Sequence, residues 1–233
     1  QTFRDAVDNW SKLPTVRMAM LIDRRIDPET RLNLAMGDVP FEDALARVAT
    51  AGNAEYCQVG SVVYFGPSTI TRRLRTAVEL RKQDIRALPA AEGKRFAVLK
   101  PLRWNDLAEP RELLRTIAAE AGVTIDNLDI VPHDLWAAAD LPSLLIADRL
   151  SIVAAAFDLT FELGENATTL KLVPIPERVV IKRSYPGGKS ADEVAKILAG
   201  VLPGCRVSVT GTRIDVEGLD LAGGSVASVI LDH

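Results

Sequence analysis

Aromatic residues are scarce in this chain, only 5% of 233 residues, so any core it builds must be mostly aliphatic. Cysteine is scarcer still. Cys57 and Cys205 are too few for a disulfide framework, and with only His133 and His233 to join them they do not make up a metal-ligand set. The two cysteines either bridge each other or pack as small buried hydrophobes. An excess of one charge is also missing. The formal net charge of −3 gives no global field that would draw nucleic acid or an anionic membrane. No uninterrupted apolar run is long enough to cross a bilayer. The longest candidate, Leu135 to Leu159, is broken by Asp140, Pro142, Asp148 and Arg149. An initiator Met is absent as well. The chain opens Gln1-Thr2-Phe3, which reads as a chain from which flanking sequence is missing.

Aliphatic side chains are plentiful. Hydrophobic residues make up 48% of the chain, enough for a real core and too many for a disordered tail. The length suits one large domain or about two to four small ones.

Residues 31–65 contain a pattern that returns near the end of the chain. Arg31 to Met36 alternates as a strand does. Pro40 then suits a first helical position, Glu42 and Asp43 favour the first turn, and Phe41, Ala44, Leu45, Val48 and Ala49 fall on one helix face. Gly52-Asn53 closes that helix, and Tyr56–Val59 and Val62–Phe65 read as a hairpin around Gly60-Ser61. From Val179 the same order recurs: a strand toward Tyr185, a Pro186-Gly187-Gly188 turn, and a helix with Ala191, Val194, Ala195, Leu198 and Ala199 on one face. A hairpin of Arg206–Val209 and Ile214–Val216 follows.

The middle of the chain reads as strand-like residues 96–104, a helix opened by Pro110 and ended by Gly122, and extended chain over 123–130. A helix over 147–157 and a hairpin of 159–163 with 169–173 complete it. The fold class is therefore α+β, built of tandem βαββ modules, each a helix layer on a short sheet. The expected division is a module at 15–67, a basic helical linker at 68–93, a central α+β domain at 94–176 and a final module at 177–233.

Several segments carry the look of chemistry. Gly187-Gly188-Lys189-Ser190 sits where a phosphate-binding loop would, but the Gly such a loop needs six residues before its Lys is Arg183 here. A Gly-Gly turn followed by a Ser cap accounts for the segment. His133-Asp134 beside Trp136 is the best catalytic-looking pair, although adjacent residues seldom face each other productively. Asp134 reads more simply as a helix N-cap, and Trp136 as packing at a domain junction. Asp140 and Asp148 could be the paired carboxylates of a glycosidase, but Asp148 is explained by a helix first turn. Between Arg72 and Arg86, six basic residues face only Glu79 and Asp84, with no aromatics interleaved for base stacking.

The first module resembles the secretin and TonB N-terminal short domain. Leu32-Asn33-Leu34, then Asp38-Val39-Pro40-Phe41-Glu42-Asp43-Ala44-Leu45, then Val62-Val63-Tyr64-Phe65 carry the resemblance, with Phe41 in place of the usual Leu. The last module, through Ala191-Asp192-Glu193-Val194-Ala195-Lys196-Ile197-Leu198, is similar to the neighbouring N-domains of bacterial secretins, with a final helix over 226–231. The stretch from Pro132-His133-Asp134-Leu135-Trp136 to Phe157-Asp158-Leu159-Thr160 resembles uncharacterised planctomycete proteins. These resemblances imply a periplasmic or cell-envelope protein, not an enzyme and without cofactor or metal. It would dock protein partners or copies of itself, with no nucleic acid, no membrane span of its own and an indirect association with the outer membrane. The large barrel of that family is not contained in these 233 residues.

Candidate interaction residues are Tyr64 and Ile214 on the expected edge strands 62–65 and 214–216, Arg72, Arg73 and Arg75 on the basic helix, and Trp136. A third expected edge is 169–173. The alternative function is a cell-wall glycan-binding protein or hydrolase with its site near His133.

Overall fold

The computed structural model describes residues 1–218 apart from 14, 15, 17, 35, 36, 38, 188, 189 and 202–204. The chain is α+β and divides into two compact units, Gln1–Ile175 and Pro176–His233.

The first unit opens with α1 (Phe3–Ser11), begun by a capping box in which the Thr2 hydroxyl accepts the Asp5 N–H (3.1 Å) and the Asp5 carboxylate accepts the Thr2 N–H (2.8 Å). Next come β1 (Ala19–Ile22), α2 (Phe41–Ala51), β2 (Glu55–Val59) and β3 (Val62–Gly66). The sheet order is β1-β3-β2, with β1 parallel and β2 antiparallel to β3. Two helices follow, α3 (Ser68–Ala87) and α4 (Ala90–Phe96). The unit continues with β4 (Lys100–Trp104), α5 (Pro110–Glu120), β5 (Thr124–Ile125), a short 3₁₀ turn at Leu128–Ile130 and β6 (Ala139–Leu144). It ends with α6 (Ile146–Ala155), β7 (Leu159–Leu163) and β8 (Thr169–Pro174). Here β4 pairs antiparallel with β6, and a second three-stranded sheet runs β5-β8-β7.

This unit holds two copies of one topology. In each, a helix precedes a strand that later lies parallel to the last strand of a hairpin, with β1-β3-β2 answered by β5-β8-β7. Each copy also has an isolated antiparallel bridge across its first helix and strand, Thr2 to Arg31 and Ala108 to Trp136. After the second helix of each copy, one residue turns to positive φ before the hairpin: Asn53 at 53° and Asp158 at 60°. Asn and Asp tolerate that conformation because their short polar side chains bond locally.

The second unit runs β9 (Ile181–Pro186), α7 (Ala191–Val201), β10 (Arg206–Thr210) and β11 (Arg213–Gly218), with sheet order β10-β11-β9. Its core is Ala191, Val194 and Leu198 of α7 over Ile214 and Val216 of β11. It repeats the element order of residues 19–66 but not their strand directions. In this unit β9 is antiparallel to β11, whereas β1 is parallel to β3. The expected repeat between the two ends of the chain is one of element order alone, and the repeat of topology lies between the first and middle parts.

Two further expectations change. Residues 31–36 do not supply the first strand: Arg31 makes only a single bridge, Leu32 N–H donates to the Gln1 carbonyl (3.0 Å), and 35 and 36 lie outside the described residues. The apolar run Ala19–Ile22 takes the role and lies parallel to β3, Ala19 opposite Val62 through Ile22 opposite Phe65. Residues 68–93 are helical as expected but are no linker. Ile70, Leu74, Ala77 and Val78 of α3 are buried in the unit, so 1–175 is not divided at 67/68 or 93/94. All ten residues of α6 are buried, as a helix at the centre of such a unit must be.

Candidate functional site

The first unit holds a cleft of about 540 Å³ between its two halves. One wall is α1 and the run from Met20 to Arg24, and the other is Asp134 to Leu141 with Trp104. Tyr64, Ile152 and Ala156 form part of its lining.

Beneath it lies a buried polar network. The Asp23 carboxylate, 2% exposed, accepts the Arg25 N–H (2.9 Å), Nε (2.9 Å) and NH2 (2.7 Å) and also the Tyr64 hydroxyl. Arg25 then reaches the other half, donating to the Asp158 carboxylate (2.6 Å) and the Ala155 carbonyl (2.9 Å). Burial holds the Tyr64 phenol well above its ordinary pKa, and the neighbouring Asp23 charge adds to this. For Arg25, burial works against the charged form, but the bonds to Asp23 and Asp158 prevail and raise its pKa. The network links the turn after β1 to the end of α6.

Above it the rings of Trp104, Trp136 and Phe157 form a ladder, with centroids 5.7 and 5.9 Å apart. The Arg24 guanidinium lies 5.2 Å from the Phe157 centroid and pairs with Asp134 (2.5 Å), which also accepts the Trp136 indole N–H (2.8 Å). The Trp104 indole donates to the Ala137 carbonyl (2.7 Å). Asp134 is therefore an ion-pair partner and an acceptor rather than a helix N-cap; the segment after it bridges Ala108 and then enters β6.

The candidate residues fare differently. Trp136 is half-buried in the ladder at the cleft. Tyr64 and Ile214 are fully buried, each at 0% exposure, so neither is available as a surface contact. The reason is strand order: β3, β8 and β11, which contain the expected edges, are each the middle strand of their sheet. Among the described residues the outer strands are β1 and β2, β5 and β7, β9 and β10, and both strands of the β4-β6 pair.

The basic helix is not a free cationic face either. Arg72 pairs with Glu55, Arg73 donates to the Thr69 and Ile175 carbonyls, and Arg81 donates to the Phe161 carbonyl and pairs with Asp84. Lys82 pairs with buried Asp148 (2.7 Å) and Arg86 with Glu79 (2.9 Å). Arg75 is half-buried, near enough to Cys57 to favour its thiolate.

Asp134 and Asp140 both line the cleft, but His133 does not. Asp140 pairs with Arg103 (2.6 Å), and Asp148 is held by Lys82, so these carboxylates do not converge as a catalytic pair. Gly188 and Lys189 lie outside the described residues, as does the expected helix at 226–231. Cys57 and Cys205 are both free. Among the described residues, no cluster of His, Cys, Asp and Glu suits a metal ion, and no helix is long and apolar enough to cross a membrane.

Sequence reasoning missed Asp23, Arg24 and Arg25. The signal was present: a three-residue charged run directly after the apolar Ala19–Ile22. No protein-family model matches the chain, and no curated protein is significantly similar to it.

Proposed function

We propose that this chain is a non-enzymatic docking module of the cell envelope, binding protein partners through the edges of its small sheets. The observation that carries the reading is strand order: among the described residues every sheet has two or three strands, so each has outer strands with one side of the main chain unpaired in its ladder. Such edges accept further strands through backbone hydrogen bonds. The sequence resemblance of residues 32–65 to a periplasmic docking domain points the same way and supplies the expected location. The alternative of a hydrolase is disfavoured because Asp134, Asp140 and Asp148 are each committed to a different cation.

Cross-linking in the native host, followed by envelope fractionation and identification of the attached proteins, tests the proposal. Recovery in the envelope with a defined protein partner supports it. Recovery in the cytoplasm, or as an uncrosslinked monomer, overturns it.

A further inference from the structure

One of these edges opens into the cleft. The Ala19 N–H donates to Ser61 O (3.0 Å) and the Asp23 N–H to Phe65 O (2.8 Å), so residues 19, 21 and 23 turn their main chain toward β3. By the two-residue alternation of a strand, Met20 and Ile22 turn their N–H and C=O groups the other way. Among the described residues no strand hydrogen-bonds to that side of β1, although Cα atoms of β6 come within 8 Å of the strand. Met20, Leu21 and Ile22 all line the cleft. All four residues of β1 are half-buried, whereas all five of β3 are buried.

The shape of the vacancy indicates what fills it. Two outward donor–acceptor sets one dipeptide apart, about 7 Å, match the repeat of an extended chain. A helix cannot use them, since its own backbone groups bond internally. The cleft volume of about 540 Å³ lies within the range of pre-formed binding sites. Leu135, 50% exposed, offers an apolar contact in its lining. The charges around it are largely spent: Arg4 pairs with Glu29, Arg24 with Asp134, Asp23 with Arg25 and Asp140 with Arg103. Asp8 is the lining carboxylate left without a bonded partner among the described residues.

We infer that the outer edge of β1 takes up an extended segment of a partner polypeptide, which adds to the sheet as a strand, seats an apolar side chain against Leu135 and directs a Lys or Arg toward Asp8. The inference rests on the docking reading above and narrows it to one edge and one kind of ligand.

The test begins with a random-peptide display library selected on the full chain. The expected winners are short peptides that alternate apolar residues with a basic one. Met20→Pro should weaken the best synthetic peptide about tenfold, the worth of one or two main-chain hydrogen bonds. The substitution leaves the ladder with β3 intact because the Met20 N–H takes no part in it, but it removes a side chain packed against the core of the unit. N-methylation of the peptide backbone should weaken binding equally and leaves the protein untouched, so a folding defect in Met20→Pro cannot decide the matter. Asp8→Asn should weaken binding a few-fold and flatten its salt dependence.

The inference is overturned if no peptide is enriched, or if neither Met20→Pro nor N-methylation affects binding. It is also overturned if the protein alone dimerises and Met20→Pro abolishes the dimer, since a second copy then owns the edge. If Met20→Pro captures the same envelope partners as the parent chain, this site falls while the docking reading stands. If neither captures any, the docking reading falls.

Discussion

Replacing Asp23 by Ala should destabilise the first unit more than any other single loss of a charge near the cleft. The carboxylate is 2% exposed and accepts four bonds, three from Arg25 and one from Tyr64. Its removal strands a phenol at 0% exposure and leaves a guanidinium whose side chain is 24% exposed with only its outer partners. Removing one member of a buried, bonded pair costs about 3–5 kcal/mol, because the remaining charge keeps its desolvation penalty. In a unit of this size that corresponds to a fall in Tm on the order of 10 °C. Tyr64→Phe keeps the Asp23–Arg25 pair and deletes one donor to a charged acceptor, a loss of about 1.5–3 kcal/mol. Asp158→Ala removes the other end of the network, a carboxylate 62% exposed, and should cost at most about 1 kcal/mol. Thermal and urea unfolding followed by circular dichroism would rank the three. If Asp23→Ala proved no worse than Asp158→Ala, the network would not be the link between the two halves of the unit.

Three further outcomes follow from the same coordinates. The Arg149 guanidinium, 1% exposed, holds the Glu120 carboxylate below its ordinary pKa of 4.5, with Lys100 assisting, so this pair stabilises the fold above about that pH and its contribution is lost as pH falls through the depressed folded value; Glu120→Gln should flatten the acid limb of a stability–pH curve. Gly60 has a φ of +58°, and a Cβ there would lie 2.8 Å from Leu144 Cδ2, so Gly60→Ala should lower stability by about 1–2 kcal/mol, whereas Asn53→Gly at φ 53° should be nearly neutral in the same urea titration. Burial pushes the Cys57 thiol up to about 12, so iodoacetamide at mildly alkaline pH should label it only after denaturation, and rapid labelling of the native protein would contradict its placement on β2.

What the sequence by itself determined was local. The apolar stripe of residues 41–49 places α2, Pro110 and Gly122 bracket α5, and the Gly60-Ser61 turn sets the hairpin of β2 and β3, because each signal acts within one or two turns of chain. Capping, helix spacing and turn residues carry their physics in adjacent positions. Which strand is central does not. Val62–Gly66 looks the same in sequence whether it ends a sheet or fills its middle, and only the arrival of Ala19–Ile22 along its free side buries Tyr64. The same event in each sheet turned three expected edges into centres. Charge is another case. A run of basic residues reads as an open cationic face until the fold brings Glu55, Asp148 and the Phe161 carbonyl to meet it. Hydrogen bonds and ion pairs between distant segments are chosen by topology, and so tertiary structure alone decided that β1, rather than β3, meets the cleft with an unpaired edge.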